Sequence, residues 1–397
     1  MNASTPCPLR VLMISDVYFP RINGVSTSIE TFRRDLAHCG IDVTLVAPAY
    51  PEEHAAENIH RVPSWRLPFD PEDRLMSWNE LRQVTRTLGQ TRPFDLIHVQ
   101  TPFAAHYAGT RLMRELDVPL LATYHTHFEE YFQHYLPLLP RPLLRKVARN
   151  IVRSQCADYD AIVVPSHAMR STLGSYGISQ PMHILPTGIP IAMFEGGRRE
   201  AFRRHHNIAD EQLVALFVGR VAHEKNIDFL IEVASHARLV LPQFLLLIAG
   251  DGPALADLKT QVRNLHLERH VKFIGYLDRN AELADCYAAA DTFAFASKTE
   301  TQGLVLLEAM AAGLPVYALA ELGTRDILEP RRGAVVAPDD VGEFAQGLVA
   351  LLKDAPQRNT LAREARNWAA EWSAPERARQ LAELYRSLHH AASSSLN

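Results

Sequence analysis

Short apolar runs alternate with segments of helical periodicity along almost the whole chain. In the first half the runs are Val11–Ile14, Val43–Ala47, Leu96–Val99, Leu120–Thr123 and Ala161–Val164. They are largely continuous rather than alternating, the pattern of strands buried on both faces of a parallel sheet. A helix is predicted over Ser26–Cys39, with Gly40 as its stop. The rhythm restarts with Val214–Val218, Phe244–Ala249, Val271–Ile274, Thr292–Ala296, Val316–Ala318 and Ala334–Val336. Helical patterns near Ile227–Arg238, Leu304–Ala312, Gly342–Leu352 and Gln357–Trp372 alternate with them. This rhythm predicts an α/β protein built on two doubly wound sheets. The Pro- and Gly-containing stretch His183–Pro190 separates the two series. The expected domains are 1–188 and 189–372, with 373–397 as a C-terminal helix and tail able to return to the first domain. The small polar residues Ala391–Asn397 are expected to fray. Ligands of such sheets sit beyond the carboxyl ends of the strands.

Composition narrows this picture. The 397 residues are 47% hydrophobic and 22% charged, an ordinary globular balance that excludes a disordered or collagenous chain. A net charge of −4 gives no global sign of nucleic-acid binding. The cysteines Cys7, Cys39, Cys156 and Cys286 have no metal spacing and suggest reduced thiols. Arg10 and the short run after it do not form a secretory signal, and no long apolar stretch predicts a membrane span. The expectation is a cytoplasmic protein, with contact at a membrane surface left open.

Three loops carry candidate chemistry. Between the first strand and its helix lies Phe19-Pro20-Arg21-Ile22-Asn23-Gly24-Val25-Ser26. Gly24 lets backbone approach a ligand, and the helix start near Ser26 offers free N–H groups to an anion; the alternative is a turn glycine with an N-cap serine. After a buried strand, Gly219-Arg220-Val221-Ala222-His223-Glu224-Lys225-Asn226 sets two cations on one loop. Arg220 as a fork and Lys225 as a point charge suit a diphosphate; the alternative is a solvated loop. The bend Ala249-Gly250-Asp251-Gly252-Pro253 reads as structural. In Glu300-Thr301-Gln302-Gly303-Leu304-Val305-Leu306-Leu307-Glu308, Glu308 is the only charge within the apolar stretch Leu304–Leu319. A carboxylate there is costly to bury unless hydrogen-bonded, and ribose hydroxyls would satisfy it; the alternative is a nearby Lys or Arg. The N–H groups of Gly303, Leu304 and Val305 open a helix and can hold further oxygens.

The segment Glu300–Glu308 resembles the E-x7-E motif of retaining GT-B glycosyltransferases of family 4. Asn23-Gly24-Val25, Gly219-Arg220…Lys225 and Glu308–Val316 are similar to other signatures of that family, in the expected order and over almost the whole chain. The resemblance implies two Rossmann-like domains facing each other across a cleft, and a nucleotide sugar as substrate with no cofactor. It also implies that Arg220 and Lys225 hold the donor diphosphate and Glu308 the ribose. Glu300, Gln302, Gly303 and Leu304 would hold the sugar. Gly24 would close over the phosphates, and Ile274-Gly275-Tyr276 would border the nucleobase. The chain departs from the family in Leu322-Gly323-Thr324-Arg325-Asp326, which keeps one glycine of the usual pair and places Asp326 where Glu is usual.

Tyr124-His125-Thr126-His127-Phe128-Glu129-Glu130 follows a strand. Its HxH spacing matches no zinc pattern, and no metal is expected. By resemblance His125 faces the donor sugar and positions the anomeric carbon, with Glu300 beside it in the catalytic set. A same-face displacement needs no protein nucleophile; Asp16 is the nearest spare carboxylate, without an assigned role. The segment Pro140–Arg153 carries Arg141, Arg145, Lys146, Arg149 and Arg153 and no acid. The arginines recur every four residues and form one stripe, with Leu143, Leu144, Val147 and Ile151 expected largely on the other side. Together with Tyr131–Leu139 this reads as an interfacial helix on an anionic membrane; the alternative is a core-facing domain helix. At the subfamily level the chain resembles bacterial diacylglycerol α-glucosyltransferases. That implies UDP-glucose, a membrane lipid acceptor and a peripheral place on the inner face of the cell membrane. Two other readings stay open: a hexosyl- or mannosyltransferase with another donor or a soluble acceptor, and a non-catalytic nucleotide-sugar-binding protein.

Overall fold

A computed structural model describes residues 8–51, 57–66, 74–91, 93–125, 141–279 and 281–395. The chain divides into two compact units, Met1–Gly188 with Ala374–Asn397, and Ile189–Ser373.

The first unit runs β1 (Leu9–Ile14), α1 (Gly24–His38), β2 (Ile41–Pro48), β3 (Ile59–Val62), β4 (Ser64–Arg66), β5 (Arg74–Met76), α2 (Trp78–Thr91), β6 (Leu96–Val99), α3 (Ala104–Leu116), β7 (Leu120–Thr123), α4 (Arg141–Cys156), β8 (Ala161–Val164), α5 (His167–Ser175) and β9 (Met182–Ile184). Its main sheet has the order β3-β2-β1-β6-β7-β8-β9. All the pairings are parallel. Alternate strand residues feed opposite cores, because successive side chains point to opposite faces. Leu12, Ile14, Ile97 and Val99 pack with Leu81 of α2, Leu112 of α3 and Val152 of α4. Val11, Met13, Leu96 and Leu121 pack on the other face with Ile29 and Leu36 of α1. Asn23 rather than Ser26 caps α1: its side-chain oxygen accepts from the Ser26 N–H at 2.8 Å, so the helix starts earlier than expected. β9 takes in His183 and Ile184 from the Pro/Gly-containing stretch.

The second unit runs α6 (Arg199–His205), β10 (Leu213–Val218), α7 (Ile227–Val240), β11 (Phe244–Ala249), α8 (Leu255–Asn264), β12 (Val271–Gly275), α9 (Leu283–Ala289), β13 (Thr292–Phe295), α10 (Leu304–Ala311), β14 (Val316–Ala318), α11 (Arg325–Leu328), β15 (Ala334–Val336), α12 (Val341–Lys353) and α13 (Ala355–Ala370). Its parallel sheet is ordered β12-β11-β10-β13-β14-β15. β10, β11 and β13 are buried along almost their whole length, which is why their sequences read as unbroken apolar runs. The last helix, α14 (Ala374–Ser395), packs on α1 in the first unit, burying Ala378, Leu381 and Tyr385 beside Ile29 and Phe32.

Both sheets are doubly wound. Strand order reverses between β1 and β6 in one unit and between β10 and β13 in the other. Loops leaving two adjacent strands in opposite directions open a crevice at such a point.

Candidate functional site

In the second unit the sequence motifs converge on that reversal. The loop after β10 carries Arg220 and Lys225, and the loop after β13 carries Glu300. Lys225 Nζ donates to Glu300 Oε1 at 2.6 Å, with both side chains largely buried. The half-exposed Arg220 guanidinium lies 3.9 Å from Glu224. The cation loop is held by the bend after β11: Gly219 N–H bonds Ala249 O at 3.0 Å and Val221 N–H bonds Asp251 O at 2.9 Å. A Cβ on Gly250 would fall 1.9 Å from Gly219 O, so glycine permits this backbone-to-backbone contact. The bend is structural, as expected. Gly303 opens α10 at φ +91°, with no side-chain cap on the helix. The first-turn amides therefore lie at a helix start suited to anionic oxygens. Gln302 is buried, and Leu304 and Val305 are half-buried.

The departure after β14 also has a place. Gly323 N–H donates to Glu300 O at 2.9 Å, and a Cβ there would come 1.9 Å from Thr301 O. The retained glycine is therefore the one that packs under the Glu300 loop. Leu322 adopts φ +47°, a left-handed conformation that a glycine holds at lower cost. Asp326 is half-buried in the first turn of α11.

Glu308 is 1% exposed and already satisfied by protein. Arg279 donates to its Oε1, and the Tyr287 hydroxyl donates to its Oε2 at 3.1 Å. Burial and the Glu308 charge push the Tyr287 phenol up, so it stays a donor. An arginine partner was one of the two readings of Glu308. Arg279, in the loop after β12, was not singled out in the sequence. It sits 29 residues from Glu308 along the chain, and no local pattern pairs them.

The first unit's reversal gathers a second set. Asp16 follows β1, Gln100 follows β6 and His125 follows β7. His125 Nε2 and Gln100 Oε1 are 2.9 Å apart, and Gln100 is buried. Burial lowers the His125 pKa to about 4, so the ring is neutral near pH 7 and acts through hydrogen bonds. Behind it, His98 is 2.6 Å from the Tyr385 hydroxyl of α14 and 2.7 Å from Thr123 Oγ1. Burial, with His125 nearby, pushes His98 down to about 3. The carboxylate of Asp16 accepts from Thr101 Oγ1 at 2.7 Å and from the Ala105 N–H at 3.2 Å, bracing the start of α3. Burial raises its pKa to about 6. Gly24 has open space around its Cβ position, but Asn23 already takes the Ser26 amide at that helix start. The donor roles of Gly24 and His125 rest on the resemblance. His127, Glu129, Glu130 and Tyr131–Leu139 lie outside the described residues.

Helix α4 turns Ala148, Val152, Gln155 and Cys156 inward. Lys146, Arg149 and Arg153 are exposed, and Arg149 also lies over the Tyr176 ring at 5.1 Å. Val147 is exposed beside the cations rather than on the opposite side, and Ile151 is half-buried. The inward stripe runs through Ala148, Val152 and Cys156 at four-residue spacing, and Val147 lies off it. Arg141 and Arg145 belong to the helix, with side chains outside the described structure. Among the described residues, no helix is long and apolar enough to cross a membrane.

The chain matches the family model described as Glycosyltransferase Family 4 over residues 22–192. It matches that described as Glycosyl transferases group 1 over residues 198–368. It is 34% identical over 320 residues to the alpha-monoglucosyldiacylglycerol synthase of Streptococcus pneumoniae, covering 78% of this chain and 71% of that one. Over 368 residues it is 30% identical to a GDP-mannose-dependent alpha-mannosyltransferase of Mycobacterium tuberculosis, covering 90% and 91%. Sucrose-phosphate synthase from Thermosynechococcus elongatus matches with a TM-score of 0.79 at 21% identity, over 96% of this chain and 100% of that one.

Proposed function

This chain belongs to the group 1 and family 4 glycosyltransferases and has their GT-B fold, and we propose that it transfers glucose from UDP-glucose to a membrane glycerolipid such as diacylglycerol, with retention at the anomeric carbon. The observation that carries this reading is the convergence of Arg220, Lys225, Glu300, Gly303 and Glu308 on one strand reversal, in a chain similar to a monoglucosyldiacylglycerol synthase.

In this reading Arg220 and Lys225 neutralise the donor diphosphate, with the α10 amides adding partial positive charge. The bond from the anomeric carbon to the phosphate oxygen breaks as the acceptor oxygen bonds on the same face. The acceptor proton passes to the departing phosphate oxygen, and UDP leaves. Lys225 is already positioned by Glu300, so the cation needs little reorganisation as charge develops on the leaving group. Glu308 takes the ribose hydroxyls by exchanging or sharing its bonds with Arg279 and Tyr287. Neutral His125, oriented by Gln100, offers a hydrogen bond to the sugar rather than a charge. The exposed cations of α4 support a peripheral place on anionic membrane.

A mannosyl donor is the second reading, favoured by the similarity to a GDP-mannose-dependent enzyme over 90% of this chain. A panel of nucleotide sugars offered with lipid extract, with products identified by mass, separates the two. A glucosylated glycerolipid formed from UDP-glucose supports the first. A mannosylated product from GDP-mannose, or transfer only to a soluble acceptor, overturns it.

A further inference from the structure

Between β6 and β7 a polar ladder crosses an otherwise apolar face of the first unit. Side chains two apart on a strand share a face, so His98 follows Leu96 into the core under α1 and α14. That core holds Val11, Met13, Leu121, Val163 and Leu381. His98 is itself 1% exposed. An imidazole in such a place is costly unless its nitrogens are bonded, and both are: Nδ1 lies 2.6 Å from the Tyr385 hydroxyl and Nε2 lies 2.7 Å from Thr123 Oγ1. Packing alone would be served about as well by apolar residues of the same shape.

The ladder has a direction. Burial pushes the Tyr385 phenol up and the His98 imidazole down to about 3, so near pH 7 the phenol keeps its proton and the ring is neutral. The Tyr385 hydroxyl has no other hydrogen-bond partner among the described residues, so its proton is donated to Nδ1. The ring proton then sits on Nε2 and is donated to Thr123 Oγ1. The same step recurs one rung further out. The pairs His98–Thr123 and Gln100–His125 each join the carboxyl end of β6 to that of β7, 25 positions along the chain. Val99 stands opposite Ala122 in the strand register, so the two bonds are parallel diagonals on one face. The Tyr124 N–H bonds Val163 O at 2.9 Å, so the backbone between Thr123 and His125 stays tied to β8. A displacement of Thr123 is therefore carried to His125, two residues on.

We propose that Tyr385, delivered by the last helix of the chain, is a positioning residue for His125: through His98 and Thr123 it fixes the end of β7, and with it the ring that meets the donor sugar. The inference rests on the reading in which His125 touches that sugar, and deepens it. Tyr385 is fully buried and acts only through the ladder.

The test is a double-mutant cycle in the full chain, read as UDP release from UDP-glucose in the presence of detergent-dispersed diacylglycerol. Tyr385→Phe removes one hydroxyl and keeps the ring in the core, so the protein should still fold. Its kcat should fall about tenfold while donor KM stays within about twofold, because a misplaced group is felt mainly in the transition state. Thr123→Val should behave alike, and Thr123→Ser, which keeps the hydroxyl, should recover most of the rate. His125→Ala should lose about a hundredfold, and adding Tyr385→Phe to it should cost nothing more. If Tyr385→Phe keeps the wild-type kcat, or costs as much beside His125→Ala as it does alone, the inference fails and the His125 reading stands. Should Tyr385→Phe not fold, Thr123→Val against Thr123→Ser decides by the same criteria. If His125→Ala keeps the wild-type rate, or the wild-type protein releases no UDP, both fall.

Discussion

Asp16→Asn gives a direct test of the brace under the first unit's strand reversal. Asp16 is buried, accepts from Thr101 and the Ala105 amide, and has its pKa raised by burial from 3.8 to about 6. A folded-state pKa above the unfolded value means that the folded form binds the proton more tightly. The associated stability is therefore present below about pH 3.8 and is lost as pH rises through about 6. A shift of about two units corresponds to about 3 kcal/mol lost by neutral pH. Asparagine keeps a side-chain oxygen for the same donors and has no charge to bury. The variant should match wild type near pH 4 and become the more stable protein near pH 7, by up to about 3 kcal/mol. Hydrogen exchange with mass analysis of peptides spanning β1 and α3 reads this locally. Comparing the two proteins at each pH cancels the intrinsic exchange rate. Near pH 7 amide opening should be up to about a hundredfold rarer in the variant, and the gap should close on acidification. Equal protection at every pH, or a variant less protected near neutrality, would refute the assignment of a buried, destabilising carboxylate.

Other perturbations probe the donor side and the histidine. Glu308→Gln should weaken donor binding by roughly ten- to a hundredfold in calorimetric titration, the worth of a charge-assisted hydrogen bond; unchanged affinity would remove the ribose assignment. Lys225→Ala and Arg220→Ala should each lower turnover far more than the unfolding midpoint, and near-wild-type rates would contradict the diphosphate role. Gln100→Glu places a carboxylate against His125, which should raise the ring's pKa from about 4 and add a new acid limb to the rate profile. Gln100→Leu should lower kcat with little change in donor KM; if both variants keep the wild-type profile, Gln100 does not position the ring.

Much of the architecture was legible from local pattern. β1, β2, β6, β7 and β8 read as largely continuous apolar runs because both faces of a central parallel strand are buried. β3 and β9 did not, since edge strands keep exposed positions and lose the run. β4 and β5 were missed because Trp65 and Leu75 face outward, against the usual burial of such residues. The start of α1 was misplaced by two residues because Asn23 competes successfully for the Ser26 amide. Val147 was put on the wrong face of α4, where Ala148, Val152, Gln155 and Cys156 form the inward side.

The sequence by itself determined the two α/β series, the Gly303 helix start, and which loops bear the charges. These depend on periodicity, turn chemistry and side-chain type within a few residues. Only the tertiary structure decided which charges meet. Lys225 finds Glu300 because β10 lies beside β13, and Gln100 finds His125 because β6 lies beside β7. Glu308 finds Arg279 from the loop after β12 and Tyr287 from α9. Strand order is set by how whole helices pack on both faces of a sheet, so partners tens of residues apart leave no trace in any short window of sequence.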